Sequence, residues 1–150
     1  MAKRILLPTL LLISDNPSLT FWIKKQLDRQ FFIFDAKNRT GALSALNAPI
    51  DFIIIDSELE GDDPLELCKL LSQKIAGTLV PILWITGRLK KSVRDQALEA
   101  GVTDFLSDQL DVEELETRIA IGLKAAAARQ KVEELSPNLP FPKKPSKDTP

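Results

Sequence analysis

Apolar residues along this chain fall into short unbroken runs, separated by stretches in which they recur at helical spacing. Leu11-Leu12-Ile13, Phe52-Ile53-Ile54-Ile55 and Ile82-Leu83-Trp84-Ile85 are runs of the first kind. A run without polar interruption reads as a strand covered on both faces, the pattern of a parallel sheet. Strands are predicted near 9–14, 31–35, 51–55, 81–85 and 103–106, and helices near 17–29, 39–47, 64–75, 90–100 and from 111 onward. Pro17 suits the first turn of the first helix. Leu19, Trp22, Ile23 and Leu27 then form its apolar stripe, with Lys24, Lys25 and Asp28 opposite and Phe21 outside the stripe.

Alternating strands and helices predict an α/β fold with a doubly wound, five-stranded parallel sheet in the order 2-1-3-4-5, joined by right-handed crossovers. That order makes strands 1 and 3 neighbours. In open α/β sheets, ligands sit at the carboxyl ends of the strands. Asp15 and Asp56 follow strands 1 and 3 directly, and two strand-end acids brought together suggest a divalent-cation site. Taken alone, Asp15 also fits an N-cap or turn role before Pro17.

The last helix outruns what is needed to cover the sheet. From Asp111, its predicted cap, to Leu135 it would extend roughly 38 Å at 1.5 Å per residue. Ala125, Ala128, Val132 and Leu135 repeat at 3-4-3 spacing on the overhang, while Glu114–Arg118 and Arg129–Glu133 are i,i+4 pairs. The overhang reads either as the frayed polar end of a core helix or as a helix-pairing surface, with a homodimer possible. Gly122 costs about 1 kcal/mol relative to Ala inside a helix, so a break is possible there. Beyond Leu135 lie half of the chain's ten prolines, a composition that predicts a disordered or polyproline-like tail. The expected division is a domain over 1–129, a helical extension over 130–135 and a Pro-rich disordered tail over 136–150, without room for an output domain.

Charge and composition narrow the chemistry. The 20 basic and 21 acidic residues balance, giving no electrostatic case for nucleic acid or an acidic membrane. With no histidine in the chain, His-dependent triads, histidine zinc sites and a histidine phosphotransfer role are excluded together. There is no Gly-rich P-loop or dinucleotide fingerprint either. A single cysteine, Cys68, excludes an internal disulfide and fits a reducing, cytoplasmic setting. It falls on the apolar face of a predicted helix, where a packed thiol is the simpler reading. Lys3-Arg4 followed by an apolar run is similar to a short signal peptide, but Ser14-Asp15-Asn16 offers no small-residue cleavage site, so the segment reads as the first strand with a short lead-in.

From about Thr9 to about Arg129 the chain resembles a response-regulator receiver domain, a family with the flavodoxin-like fold. The residues that carry the likeness are Ser14-Asp15 after strand 1, Asp56 after strand 3, Thr86 in Trp84-Ile85-Thr86-Gly87 after strand 4, and Phe105 on strand 5. The stretch Asp51 to Leu67, with Gly61 and Asp63 at family spacing, is its most specific part. The resemblance implies that Asp56 accepts a phosphoryl group from a histidine kinase or phosphotransfer protein. It implies weakly bound Mg²⁺ held by Asp15, Asp56 and the backbone carbonyl of Glu58, and a switch formed by Thr86 and Phe105. It implies signalling to a downstream protein target, and not enzymatic activity.

Departures from the family pattern are equally specific. Ser14 replaces an acid, Asp108-Gln109 stands where the family has Lys-Pro, and Glu60 and Pro64 replace a Pro and a Gly in the loop after Asp56. A negative charge at Asp108, where a positive one would meet the phosphoryl group, is expected to disfavour its formation; the alternatives are that the extra acid favours cation binding or points into solvent. The resemblance implies that Arg88, two after Thr86, and Glu58, two after Asp56, face each other across the pocket, where their opposite charges allow either a weak exposed salt bridge or a return of positive charge to the site. The competing reading is a phosphorylation-independent pseudo-receiver that serves as an interaction or dimerisation module.

Overall fold

A computed structural model of the chain describes residues 6–76 and 78–135. Five strands alternate with five helices: β1 Thr9–Ile13, α1 Pro17–Leu27, β2 Phe32–Ala36, α2 Arg39–Ala45, β3 Phe52–Asp56, α3 Pro64–Lys74, β4 Ile82–Thr86, α4 Lys91–Glu99, β5 Asp104–Ser107 and α5 Val112–Leu135. All strand pairs are parallel and the order is β2-β1-β3-β4-β5. Fold class, order and elements match the pattern in the sequence, with boundaries shifted by a few residues.

The unbroken apolar runs occupy the middle of the sheet because both of their faces are covered. Leu11, Ile13, Ile53, Ile55 and Trp84 face a core closed by α2, α3 and α4. Leu10, Leu12, Phe52, Ile54 and Leu83 face a second core closed by α1 and α5. Such alternation of side chains is the period-two geometry of a strand. Phe21, outside the predicted stripe of α1, is 68% exposed.

Helix starts are set by short polar side chains. Asn16 Oδ1 accepts from the backbone N–H groups of Ser18 and Leu19, and Asp63 Oδ1 from those of Leu65 and Glu66. Each satisfies donors that the first helical turn leaves without partners. Asp111 Oδ2 accepts from Glu114 N–H at 3.4 Å, as its predicted capping role requires. α4 is the exception, since its N-cap residue Lys90 makes no side-chain capping bond.

α5 is continuous through Gly122. A Cβ on Gly122 would lie 2.7 Å from Phe52 Cε2, so the missing side chain is what lets α5 close over β3. Glu114 and Arg118 approach to 4.0 Å as predicted, whereas no Arg129–Glu133 bridge forms. On the fully exposed end of the helix nothing holds two long side chains together against their rotamer entropy. The helical extension over 130–135 is present; the tail over 136–150 lies outside the described residues.

Candidate functional site

β1 and β3 run side by side with Ile13 opposite Ile55, so the residues that follow, Ser14 and Asp56, meet at the carboxyl edge of the sheet. Both are buried, at 2% and 7% exposure. They are the buried polar side chains among the described core residues. Ser14 Oγ donates to Asp56 Oδ2 at 2.8 Å, and its own oxygen accepts from Asn16 N–H at 3.1 Å. Asp56 Oδ1 accepts from Glu58 N–H at 2.9 Å. Each carboxylate oxygen therefore has one donor and keeps a free lone pair.

Asp15 reaches across to the loop after β3, where its Oδ2 accepts from Glu60 N–H at 2.8 Å. That loop turns at Gly61, whose φ of +84° lies in the region that favours glycine. The alternative role of Asp15 as a helix cap is taken by Asn16 instead. Two carboxylates thus stand at neighbouring strand ends, Asp56 closing β3 and Asp15 in the loop after β1, and neither takes part in a salt bridge with any described residue. A buried carboxylate without a cation is costly. Two carboxylates at one edge of the sheet suit a hard divalent cation such as Mg²⁺, which needs only one or two acids; no third His, Cys, Asp or Glu among the described residues joins them in a cluster.

Asp56 is in register with Ile85 on β4, which sets Thr86 one residue further along the same edge. Its hydroxyl is engaged locally, within 3.3 Å of Arg88 N–H and 3.2 Å of the Arg88 carbonyl. Phe105, opposite Trp84 in the β4–β5 register, is half-buried against the α3–α4 core. Trp84 is itself buried, and its indole N–H has no acceptor.

Asp108 is exposed, and its backbone N–H donates to the Thr86 carbonyl at 3.0 Å. Its carboxylate lies over the turn that follows β4: a Cβ at Gly87 would sit 2.6 Å from Asp108 Oδ2. The expected Glu58–Arg88 ion pair is not formed. Glu58 is held by its backbone to Asp56, Arg88 by its backbone to Thr86, and the two side chains stay in solvent. The Ser14–Asp56 hydrogen bond and the Glu60 clamp on Asp15 were not read from sequence. Strand register gives the first, whereas the second depends on a loop path with no periodic signal.

The model of the response regulator receiver domain family matches residues 10–120. Response regulator ArlR of Staphylococcus epidermidis is 30% identical over 117 residues, covering 77% of this chain and 52% of that protein. The KDP operon transcriptional regulatory protein KdpE of Escherichia coli is 28% identical over 120 residues, 79% of this chain and 52% of that protein. The chain therefore spans about half the length of these relatives. Among solved structures, the chemotaxis protein CheY4 of Vibrio cholerae superposes with a TM-score of 0.74 at 22% identity, covering 79% of this chain and all of that one. A two-component response regulator from Clostridium difficile gives 0.72 at 24% identity, covering 78% and 96%. Those two likenesses are of fold; the family match spans most of the described residues, Ser14, Asp15, Asp56, Thr86 and Asp108 among them, and the chain belongs to the response regulator receiver domains.

Proposed function

We propose that this chain is a phosphoryl-accepting signalling domain in which Asp56 takes a phosphoryl group from a histidine kinase or phosphotransfer protein and passes the signal on by protein–protein contact. The observation that supports it is the state of Asp56. It is a buried carboxylate at the end of a central strand, bonded only to a hydroxyl and a backbone N–H, with a second acid on the neighbouring loop. In the transfer, one Asp56 oxygen forms the new P–O bond while the P–N bond of the partner's phosphohistidine breaks. The released imidazole then takes a proton from solvent.

Asp15, Asp56 and the carbonyl of Glu58 are the residues to hold Mg²⁺, which when bound neutralises charge on the phosphoryl oxygens. Ser14 orients Asp56 through its hydroxyl, and the backbone of Glu60 fixes Asp15. Thr86 must give up its local bonds with Arg88 to donate to a phosphoryl oxygen, and Phe105 behind it can then change its packing. That coupling of a hydroxyl to a ring is the proposed switch.

A second reading, an interaction module that does not depend on phosphorylation, is favoured by two observations. Ser14 supplies a hydroxyl where charge would strengthen cation binding, and the Asp108 carboxylate lies on the turn next to Thr86. Treatment with Mg²⁺ and a small phosphodonor, read by intact mass, separates the two. The first reading requires one added phosphoryl group on the wild type and none on Asp56→Asn. An unmodified wild type, or a modified Asp56→Asn, would falsify it.

A further inference from the structure

The side of α5 opposite Leu115 and Ile119 carries a line of exposed apolar side chains. Ile121, Ala125, Ala128, Val132 and Leu135 are all exposed, and their 4-3-4-3 spacing is the a/d seam of a coiled coil. Leu115 and Ile119, on the opposite side, are what the fold buries. Ile121, Val132 and Leu135 are 57%, 47% and 73% exposed, so three of the larger apolar side chains of α5 face solvent in one line.

Charge decides what can cover that line. In heptad terms Ile121, Ala128 and Leu135 are d positions and Ala125 and Val132 are a positions. Lys124 and Lys131 then occupy g, and Arg129 occupies e. All three cations are exposed, and no salt bridge among the described residues includes any of them. The acids of this segment, Glu133 and Glu134, fall at b and c, away from the seam. In a parallel pair, g faces the e position of the other helix, so Lys124 of one copy would oppose Arg129 of the next. In an antiparallel pair, g faces g, so Lys124 would oppose Lys131. A second copy of this chain is thus disfavoured in either orientation.

We propose that this face of α5 docks an amphipathic helix of a partner protein whose own seam is flanked by Asp or Glu. Apolar a and d positions supply the contact and the basic flanks select the partner. The pairing is helix-on-helix and uses residues remote from the acidic pocket.

The test uses the whole chain and a labelled synthetic three-heptad helix with Leu at a and d and Glu at e and g, read by fluorescence anisotropy. A control helix differs only in carrying Lys at e and g. The wild type should bind the Glu helix saturably and at least tenfold more tightly than the Lys helix, and more weakly as salt rises. The Lys124→Glu/Arg129→Glu/Lys131→Glu variant, shown folded by circular dichroism, should reverse the preference. Ala128→Glu, an exposed change in the middle of the seam, should abolish binding to both. Equal binding of the two peptides, or none, overturns the proposal. So does self-association of the wild type through α5 in sedimentation. Binding to phosphatidylserine vesicles that is lost in the triple variant, with no peptide binding, would assign the surface to lipid instead.

Discussion

Replacing Ser14 by Asp tests the candidate metal site through a hydrogen bond measured in the structure. Ser14 Oγ lies 2.8 Å from Asp56 Oδ2, and both residues are buried. Ser14→Asp exchanges a donor to a carboxylate for a second carboxylate. Losing a hydrogen bond to a charged group costs about 1.5–3 kcal/mol. Two like charges ~4 Å apart at an effective dielectric constant of 20 repel by ~4 kcal/mol. Because the new side chain can turn part-way towards solvent, the expected loss without metal is about 2–4 kcal/mol. In a domain of this size that lowers Tm by roughly 10 °C.

Metal binding must return what the repulsion took away, because folding and binding are linked. Thermal and urea melts of wild type and Ser14→Asp, each in EDTA and in Mg²⁺, should show a deficit in EDTA that largely disappears at about 10 mM Mg²⁺. Mg²⁺ affinity should rise at least tenfold in the variant. Two results refute the reasoning. A variant as stable as wild type in EDTA means that the introduced acid does not meet Asp56. A deficit that Mg²⁺ does not relieve means that Asp15 and Asp56 do not form a cation site.

Asp108→Lys should raise the yield or lifetime of phosphorylated protein roughly fivefold, since exchanging one exposed charge near the phosphoryl group is worth ~1 kcal/mol; equal, robust phosphorylation in both forms would place Asp108 outside the site. Gly122→Ala gains about 1 kcal/mol of helix propensity but sets a Cβ 2.7 Å from the Phe52 ring, an overpacking cost of about 1–3 kcal/mol. Net destabilisation by about 1 kcal/mol in urea melts is expected, and a stabilised variant would contradict the packing account. Cys68 has its thiol pKa pushed up to about 12, chiefly by burial and secondarily by Asp63. At pH 8 it should react with a disulfide reagent on the order of 10³-fold more slowly than in urea, and rapid native labelling would show an open α3. Stability from this thiol is fully present below its unfolded value of 9.0 and falls as pH rises from there to about 12, so alkaline urea melts of wild type should weaken more steeply than those of Cys68→Ala.

The α/β class, the strand order and both cores were legible in the sequence because they follow from local periodicity. Leu11-Leu12-Ile13 and Phe52-Ile53-Ile54-Ile55 can be unbroken only where both faces are covered, and short connections leave few topologies open. Placing Asp15 and Asp56 at one sheet edge follows from the same reasoning. Tertiary structure alone decided how side chains and loops meet around that edge. Ser14 spends its hydroxyl on Asp56, Glu60 clamps Asp15 through its backbone, and Glu58 and Arg88 form no ion pair although the family resemblance sets them face to face. Gly87 leaves room for the Asp108 carboxylate, and Gly122 continues a helix that its propensity would weaken, because Phe52 fills the space a side chain would need. Local sequence encodes periodicity and propensity, whereas these contacts depend on loop paths and close approaches between segments distant in the chain, where packing outweighs propensity.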